Sequence, residues 1–200
     1  MEVDIREIKS YVISLKDAVE RKHHMMNVMQ MVGFKNWSFF DAVNVRNKYP
    51  YWVGTGLSNL LCLEQAQYPC IVFEDDVAPT EWGREIINIP DDGITYLGLS
   101  SWGLKSGKSE HLGVEFNYYD DEVCIVKYML SQHAIFYPSK KIAEKYYQNT
   151  IRHLFDNPNV NCNDELWAMT QTKYQTYALM RPLFYQRCPR NMQYTYFKVS

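Results

Sequence analysis

Residues 70–80 read CIVFEDDVAPT, and they set three carboxylates directly behind an apolar run. Cys70, Ile71, Val72 and Phe73 have the composition of a buried strand, so Glu74, Asp75 and Asp76 stand at its C-terminal end. Like charges gathered at the edge of a core are costly unless water, basic side chains or a metal ion compensate them. In open α/β sheets ligands bind beyond the carboxyl ends of the strands, which is where these acids fall. If the chain stays extended there, Glu74 and Asp76 project to one side and Asp75 to the other. Two carboxylates on one side suit a hard divalent cation, Mg²⁺ or Mn²⁺. Such an ion completes its shell with water and substrate phosphates, which makes a nucleoside diphosphate a natural second ligand. The competing reading of the same triplet is a solvated acidic loop that caps the following helix.

Working outward, residues 11–15 (YVISL) form another short apolar run and read as a buried strand. Residues 16–34 follow with Ala18, Met25, Val28, Met29 and Val32 at near-helical spacing. Asp17 is the expected cap and Gly33 the expected stop. Residues 37–42 (WSFFDA) read as a second strand, completing the strand–helix–strand unit of a parallel sheet. Pro50, Gly54 and Gly56 mark residues 45–56 as a loop, and residues 57–67 read as a helix with Ser58 near its start. Beyond the acids, residues 81–89 suggest a short helix and residues 94–100 a strand. Residues 123–129 and 133–137 resemble a pair of strands bonded to each other. Ser139 caps a helix over 139–147, and Asn163 caps one that begins at Asp164. The alternation predicts an α/β fold in a single domain over residues 1–200, with a front half of about 1–100 and a back half of about 101–200.

Composition is that of a globular chain, with 46% hydrophobic and 22% charged residues, and no apolar run approaches the length of a membrane span. The N-terminal residues carry acids rather than the apolar stretch of a secretory signal. Cys62, Cys70, Cys124, Cys162 and Cys188 are scattered and odd in number, which argues against a disulfide framework and fits a reducing cytoplasm. Residues 1–139 hold 12 Lys and Arg against 19 Asp and Glu, whereas residues 140–200 hold 9 against 4. An acidic front suits a cation and a basic back suits an anion; opposite charges pairing across the fold would give the same asymmetry. Oligomeric state leaves no trace in the sequence.

Seven blocks in order resemble glycosyltransferase family 25, the lipopolysaccharide and collagen galactosyltransferase-like enzymes. They are YVISLKDAVERKHHM, FFDAVN, GTGLSNLLCLEQA, IVFEDDV, HAIFYPSKKIAEKYY, NDELW and RPLFYQ, spanning roughly residues 10–187. One departure is Ser58-Asn59, where the family carries Ser-His. The resemblance implies a GT-A fold, Rossmann-like with a mixed sheet flanked by helices. It also implies a metal-dependent sugar transfer from a nucleotide-sugar donor, UDP-linked by expectation, with inversion. By position, Glu74 and Asp76 would hold Mn²⁺ or Mg²⁺, and Asp75 would contact the donor ribose or sugar. Ser14, Leu15 and Arg21 would line the nucleotide pocket.

The acceptor hydroxyl must lose a proton as it attacks, and a carboxylate is the natural base. Asp164 is the first candidate and Glu165 the second, although acids in a first helical turn are also routine partners of the helix dipole. His133 opens an apolar segment and reads as structural, and His23 and His24 as surface residues. The loop 100–113, with Trp102 and Lys105, can close over substrate or be a plain excursion. Two acceptors fit. One is a surface or lipopolysaccharide-type glycan. The other is DNA carrying hydroxymethylated bases, its phosphates met by Lys140, Lys141, Lys145, Arg152, Arg181, Arg187 and Arg190. In that reading Tyr146, Tyr147, Tyr185 and Tyr194 would stack on a displaced base. From other classes, Asp41, Asp120 and Asp121 could join the triplet in a two-metal phosphoryl-transfer enzyme or nuclease, and the aromatics suit a non-enzymatic carbohydrate-binding module.

Overall fold

A computed structural model describes residues 1–45, 48–99, 114–156 and 163–187. In chain order the elements are β1 (Glu2–Asp4), β2 (Lys9–Ser14), α1 (Val19–Val32), β3 (Trp37–Asp41), α2 (Tyr51–Gln65) and β4 (Cys70–Glu74). Then come β5 (Val77–Pro79), β6 (Ile86–Asn88), β7 (Ile94–Tyr96), β8 (Glu115–Tyr118), β9 (Val123–Lys127) and β10 (Ala134–Tyr137). The series closes with α3 (Lys140–Asp156), α4 (Asn163–Thr170), β11 (Thr176–Leu179) and β12 (Phe184–Gln186).

The fold is mixed α/β, a large mixed sheet flanked by helices. Eight strands pair in the order β3-β2-β4-β10-β7-β11-β9-β8. β2 runs parallel to both β3 and β4, so these three carboxyl ends share one edge. β10 lies antiparallel to β4 and β7, and β11 runs parallel to β7 and antiparallel to β9. The interior strands β4, β10, β7 and β11 are buried on both faces, and alternate residues feed two separate cores. Val12, Ile71, Phe73, Phe136 and Leu179 pack with Met25, Val28 and Met29 of α1. Ile13, Val72, Ile135, Tyr137 and Ala178 pack on the other face with Leu63 of α2, Ala143 and Tyr146 of α3 and Trp167 of α4. Phe73 meets Phe34 and Phe184 edge to face, with ring centroids 5.5 and 5.1 Å away. Each such pair adds about 0.5–1.5 kcal/mol beyond area burial, so the residue just before Glu74 is firmly anchored. Among the described residues no helix is long and apolar enough to cross a membrane.

Several expectations are met. Gly33 ends α1 in the left-handed region at φ 84°, its N–H bonded to the Met29 and Gln30 carbonyls. Ser139 caps α3, its Oγ accepting the Ile142 N–H at 3.4 Å, though the helix runs on to Asp156. Others are corrected. Ala18, not Asp17, occupies the cap of α1, with no side-chain bond there. Residues 51–56 are the first turns of α2, not loop. The glycine at 54 answers a packing demand: an added Cβ would lie 2.8 Å from the Val43 carbonyl and 2.9 Å from Val45 Cγ2. Residues 86–88 of the expected short helix are strand β6, paired with β1. β9 and β10 do not pair with each other. β10 inserts between β4 and β7, because the buried segment between them turns away with positive φ at Tyr128 (62°) and Ser131 (82°).

Gly54→Ala should therefore push α2 from residues 43–45 and cost about 1–3 kcal/mol, the usual range for overpacking. Urea unfolding checks this, and an unchanged midpoint would mean the contact is slack.

Candidate active site

A cleft of about 570 Å³ opens at the carboxyl ends of β2, β3 and β4. Its floor comes from Ile13, Ser14 and Leu15, and one wall from Ala18 and Arg21 of α1. The opposite wall combines residues 42–45 with Tyr51, Gly54, Thr55, Ser58 and Asn59 of α2, and the acid triplet and Gln186 close the end. Ser58 ties the two parts of this wall together: its Oγ accepts the Val43 N–H at 2.8 Å and donates to the Gly54 carbonyl at 2.6 Å. Asn59 donates to the Thr55 carbonyl at 3.1 Å.

The chain does not remain extended through the acids. β4 stops at Glu74, Asp75 and Asp76 form a turn, and β5 resumes at Val77. The carboxylates nonetheless divide as two and one. Asp75 is buried and compensated by protein: Ser14 Oγ donates to its Oδ2 at 2.7 Å and Arg21 Nη1 to its Oδ1 at 2.6 Å. That pairing locks the end of β2 and the first turns of α1 onto the tip of β4. Arg21 keeps half its side chain exposed and is the sole cation lining the cleft among the described residues.

Glu74 and Asp76 have no such relief. Burial pushes the Glu74 carboxyl well above the usual carboxylate range; the charges of Asp76, Asp164 and Asp75 push the same way, and Arg21 opposes them. Burial also raises Asp76, against a hydrogen bond from Gln186 and the charge of Arg21. Gln186 Nε2 donates to Asp76 Oδ2 at 3.2 Å, while Asp76 Oδ1 is buried with no hydrogen-bond partner. An orphaned carboxylate oxygen beside a second desolvated carboxylate is what a divalent cation would satisfy. Among the described residues no three His, Cys, Asp or Glu side chains group closely enough to hold an ion. A cation at Glu74 and Asp76 would therefore complete its shell from water and an anionic ligand.

Asp164 lies outside the cleft lining but acts on Glu74 electrostatically. It sits in the first turn of α4, where Oδ2 accepts the Ser131 N–H at 3.2 Å and Oδ1 the Gln132 Nε2 at 3.3 Å. Glu165, in the same turn, is half-buried. His133 is buried and paired with Ser131 Oγ, and burial pushes its imidazole down to about 3, as suits a structural residue. His24 is not a plain surface residue: its Nε2 bonds the Val77 carbonyl at 2.7 Å and its Nδ1 accepts from Arg187 Nη1 at 3.3 Å. The Arg187 N–H donates to the Asp76 carbonyl at 2.7 Å, which places this residue on the acid turn with its side chain exposed.

Trp102, Lys105, Arg190 and Tyr194 lie outside the described residues. Lys140, Lys141 and Lys145 are exposed on α3, but Tyr146 is fully buried, bonded to the Gln175 carbonyl and Thr176 Oγ1, and cannot stack on a displaced base. Asp120 and Asp121 belong to the β8–β9 connection at the far edge of the sheet, where Asp120 accepts the Glu122 and Val123 N–H groups. Asp41 is exposed and pairs with Lys22. None of these three joins the triplet. Sequence reading missed several cleft residues, among them Asn44, Tyr49, Tyr51, Thr55 and Gln186; a glutamine 110 positions from Asp76 carries no local signal.

No family model and no curated protein matches the chain. Among solved structures it is similar to CTP:phosphocholine cytidylyltransferase from Streptococcus pneumoniae, with a TM-score of 0.46 and 13% identity over 90% of this chain and 93% of that one.

The raised carboxyls carry a sign. Their native pKa values exceed the unfolded ones, so the stability they contribute is fully present below the ordinary carboxylate range and is lost as pH rises through the native values. In metal-free buffer Asp76→Asn should melt above the wild type near pH 7, with the gap closing toward about pH 4. Thermal melts in chelator across that range test it, and a variant that melts lower at neutral pH would contradict the assignment.

Proposed function

We propose that the chain is a metal-dependent glycosyltransferase that moves a sugar from a nucleotide-sugar, UDP-linked by expectation, to a glycan hydroxyl. The observation that carries this reading is the buried, partnerless Asp76 Oδ1 beside Glu74 at the end of a cleft whose lining, among the described residues, offers one arginine. A bare diphosphate entering that cleft would meet three carboxylates, so the same groups that repel the anion call for a cation to bridge to it. The ordered resemblance to family 25 supplies the sugar-transfer chemistry, and Ser58-Asn59 of the departing block lies on the cleft wall.

A divalent ion held by Glu74 and Asp76 would neutralise charge on the departing diphosphate. The protein's own groups do the rest. Asp75 holds the Arg21 guanidinium on the cleft wall, where its remaining N–H groups would meet phosphate or sugar oxygens of the donor. Asp164 accepts the proton of the acceptor hydroxyl as that oxygen attacks the anomeric carbon and the bond to the diphosphate breaks. The attack comes from the face opposite the leaving group, giving inversion. The Ser131 N–H and the Gln132 amide, one on each carboxylate oxygen, hold Asp164 in place for that task.

A panel of nucleotide-sugars with Mn²⁺, scored for nucleotide release and for transfer to glycans, tests the assignment. Asp76→Ala should remain folded, lose Mn²⁺ binding by calorimetry and lose turnover by about 100-fold or more. Full turnover in that variant, or under exhaustive chelation, would remove the metal site. Asp164→Asn should bind donor normally and transfer on the order of 10²–10⁴-fold more slowly; wild-type transfer would discard it as the base. Salt-sensitive binding to hydroxymethylated duplex DNA would redirect the acceptor assignment.

A further inference from the structure

A second polar cluster lies behind the site, on the buried side of α4. Gln171, just beyond the helix and 2% exposed, engages both of its amide N–H groups and its amide oxygen. Its Oε1 accepts the Met129 N–H at 2.7 Å, and its Nε2 donates to the Met129 carbonyl at 2.8 Å and to Tyr96 Oη at 2.8 Å. One side chain thus imitates the two-bond pairing of a neighbouring strand on a residue that has none. Met129 stands between two non-glycine residues of positive φ, Tyr128 at 62° and Ser131 at 82°. Such conformations persist where their surroundings over-determine them, and they gather at functional sites. Here the product of the strain is visible: Ser131 N–H and the Gln132 amide are turned onto the two oxygens of Asp164. At the exit of the same turn the His133 carbonyl accepts the Glu74 N–H at 3.0 Å, so one segment touches both acids.

We propose that Gln171 is a positioning residue for the transfer reaction. By clamping Met129 through both backbone groups, it holds the 129–132 turn in the shape that grips Asp164 and aims its carboxylate at the acceptor hydroxyl. Tyr96, fully buried, is the backstop that takes the second N–H of the clamp. This rests on Asp164 serving as the base.

The test uses the full chain with Gln171→Met, which keeps volume and removes the polar clamp. Amide hydrogen exchange is the activity-independent readout. Exchange of the Ser131 N–H should accelerate about ten-fold or more while Ile125 and Phe136 in the flanking strands stay protected, as local opening requires. Unchanged exchange at Ser131 overturns the proposal whether or not any sugar is transferred. With UDP-galactose and Mn²⁺ as the kinetic probe, kcat for UDP release should fall on the order of ten- to a hundred-fold at constant donor KM. In the Asp164→Asn background the same substitution should change the residual rate by less than about two-fold, because both act through one group. A raised KM, or equal losses in both backgrounds, would make Gln171 merely structural. If Asp164→Asn alone leaves the rate intact, the base assignment fails instead, and the Ser131 exchange result separates that failure from a failure of the clamp. Should Gln171→Met not fold, Tyr96→Phe removes only the hydroxyl and is expected to move Ser131 exchange in the same direction; no change there would refute the clamp.

Discussion

Two carboxylates that cannot move apart organise the molecule. Glu74 is the last residue of an interior strand, in register with Ile13 on β2, and its N–H is bonded to the His133 carbonyl. Phe73, one residue earlier, is wedged between two aromatic rings. Asp76 is held by its backbone to Arg187 and by its side chain to Gln186. With the backbone fixed, the repulsion can be relieved only by protons or by an added cation, because the nearby Arg21 is already engaged by Asp75. A cation bound there, as proposed, would relieve that repulsion.

The remainder of the fold supplies that rigidity from remote parts of the chain. β12 returns from the far end to pair with β5 immediately after the acids, setting Phe184 opposite Pro79 and Gln186 opposite Val77. α4 brings Asp164 within electrostatic reach of Glu74, and the 128–133 turn spans the distance between them with bonds to each. Strain at Tyr128 and Ser131 is tolerated because side chains outside the turn occupy its polar groups. Stability and charge placement are therefore settled by the same few contacts.

Much of this was legible from local pattern. The β2-α1-β3 unit, the strand ending in acids, the αL stop at Gly33 and the Ser139 cap all depend on residues within a few positions of one another, where apolar periodicity and cap chemistry act. Ser14, Leu15, Arg21, Glu74, Asp75 and Asp76 all line the one cleft, because the carboxyl ends of parallel neighbours must share an edge. Where local signals misled, a distant contact had overridden them. Gly54 reads as a loop glycine until Val43 is seen against it, and the 123–137 segment reads as a hairpin until β4 and β7 claim β10.

By itself, then, the order of residues determined that acids would crown a buried strand and that helices would alternate with strands around it, since both follow from short-range periodicity. Only the tertiary structure decided which acid is paired and which is left exposed to its neighbour's charge. It also chose Gln186 and Asp164 as companions, and it set Gln171 to brace the turn between them. Those outcomes depend on the positions of side chains many tens of residues apart, and no local propensity encodes a distance across a sheet.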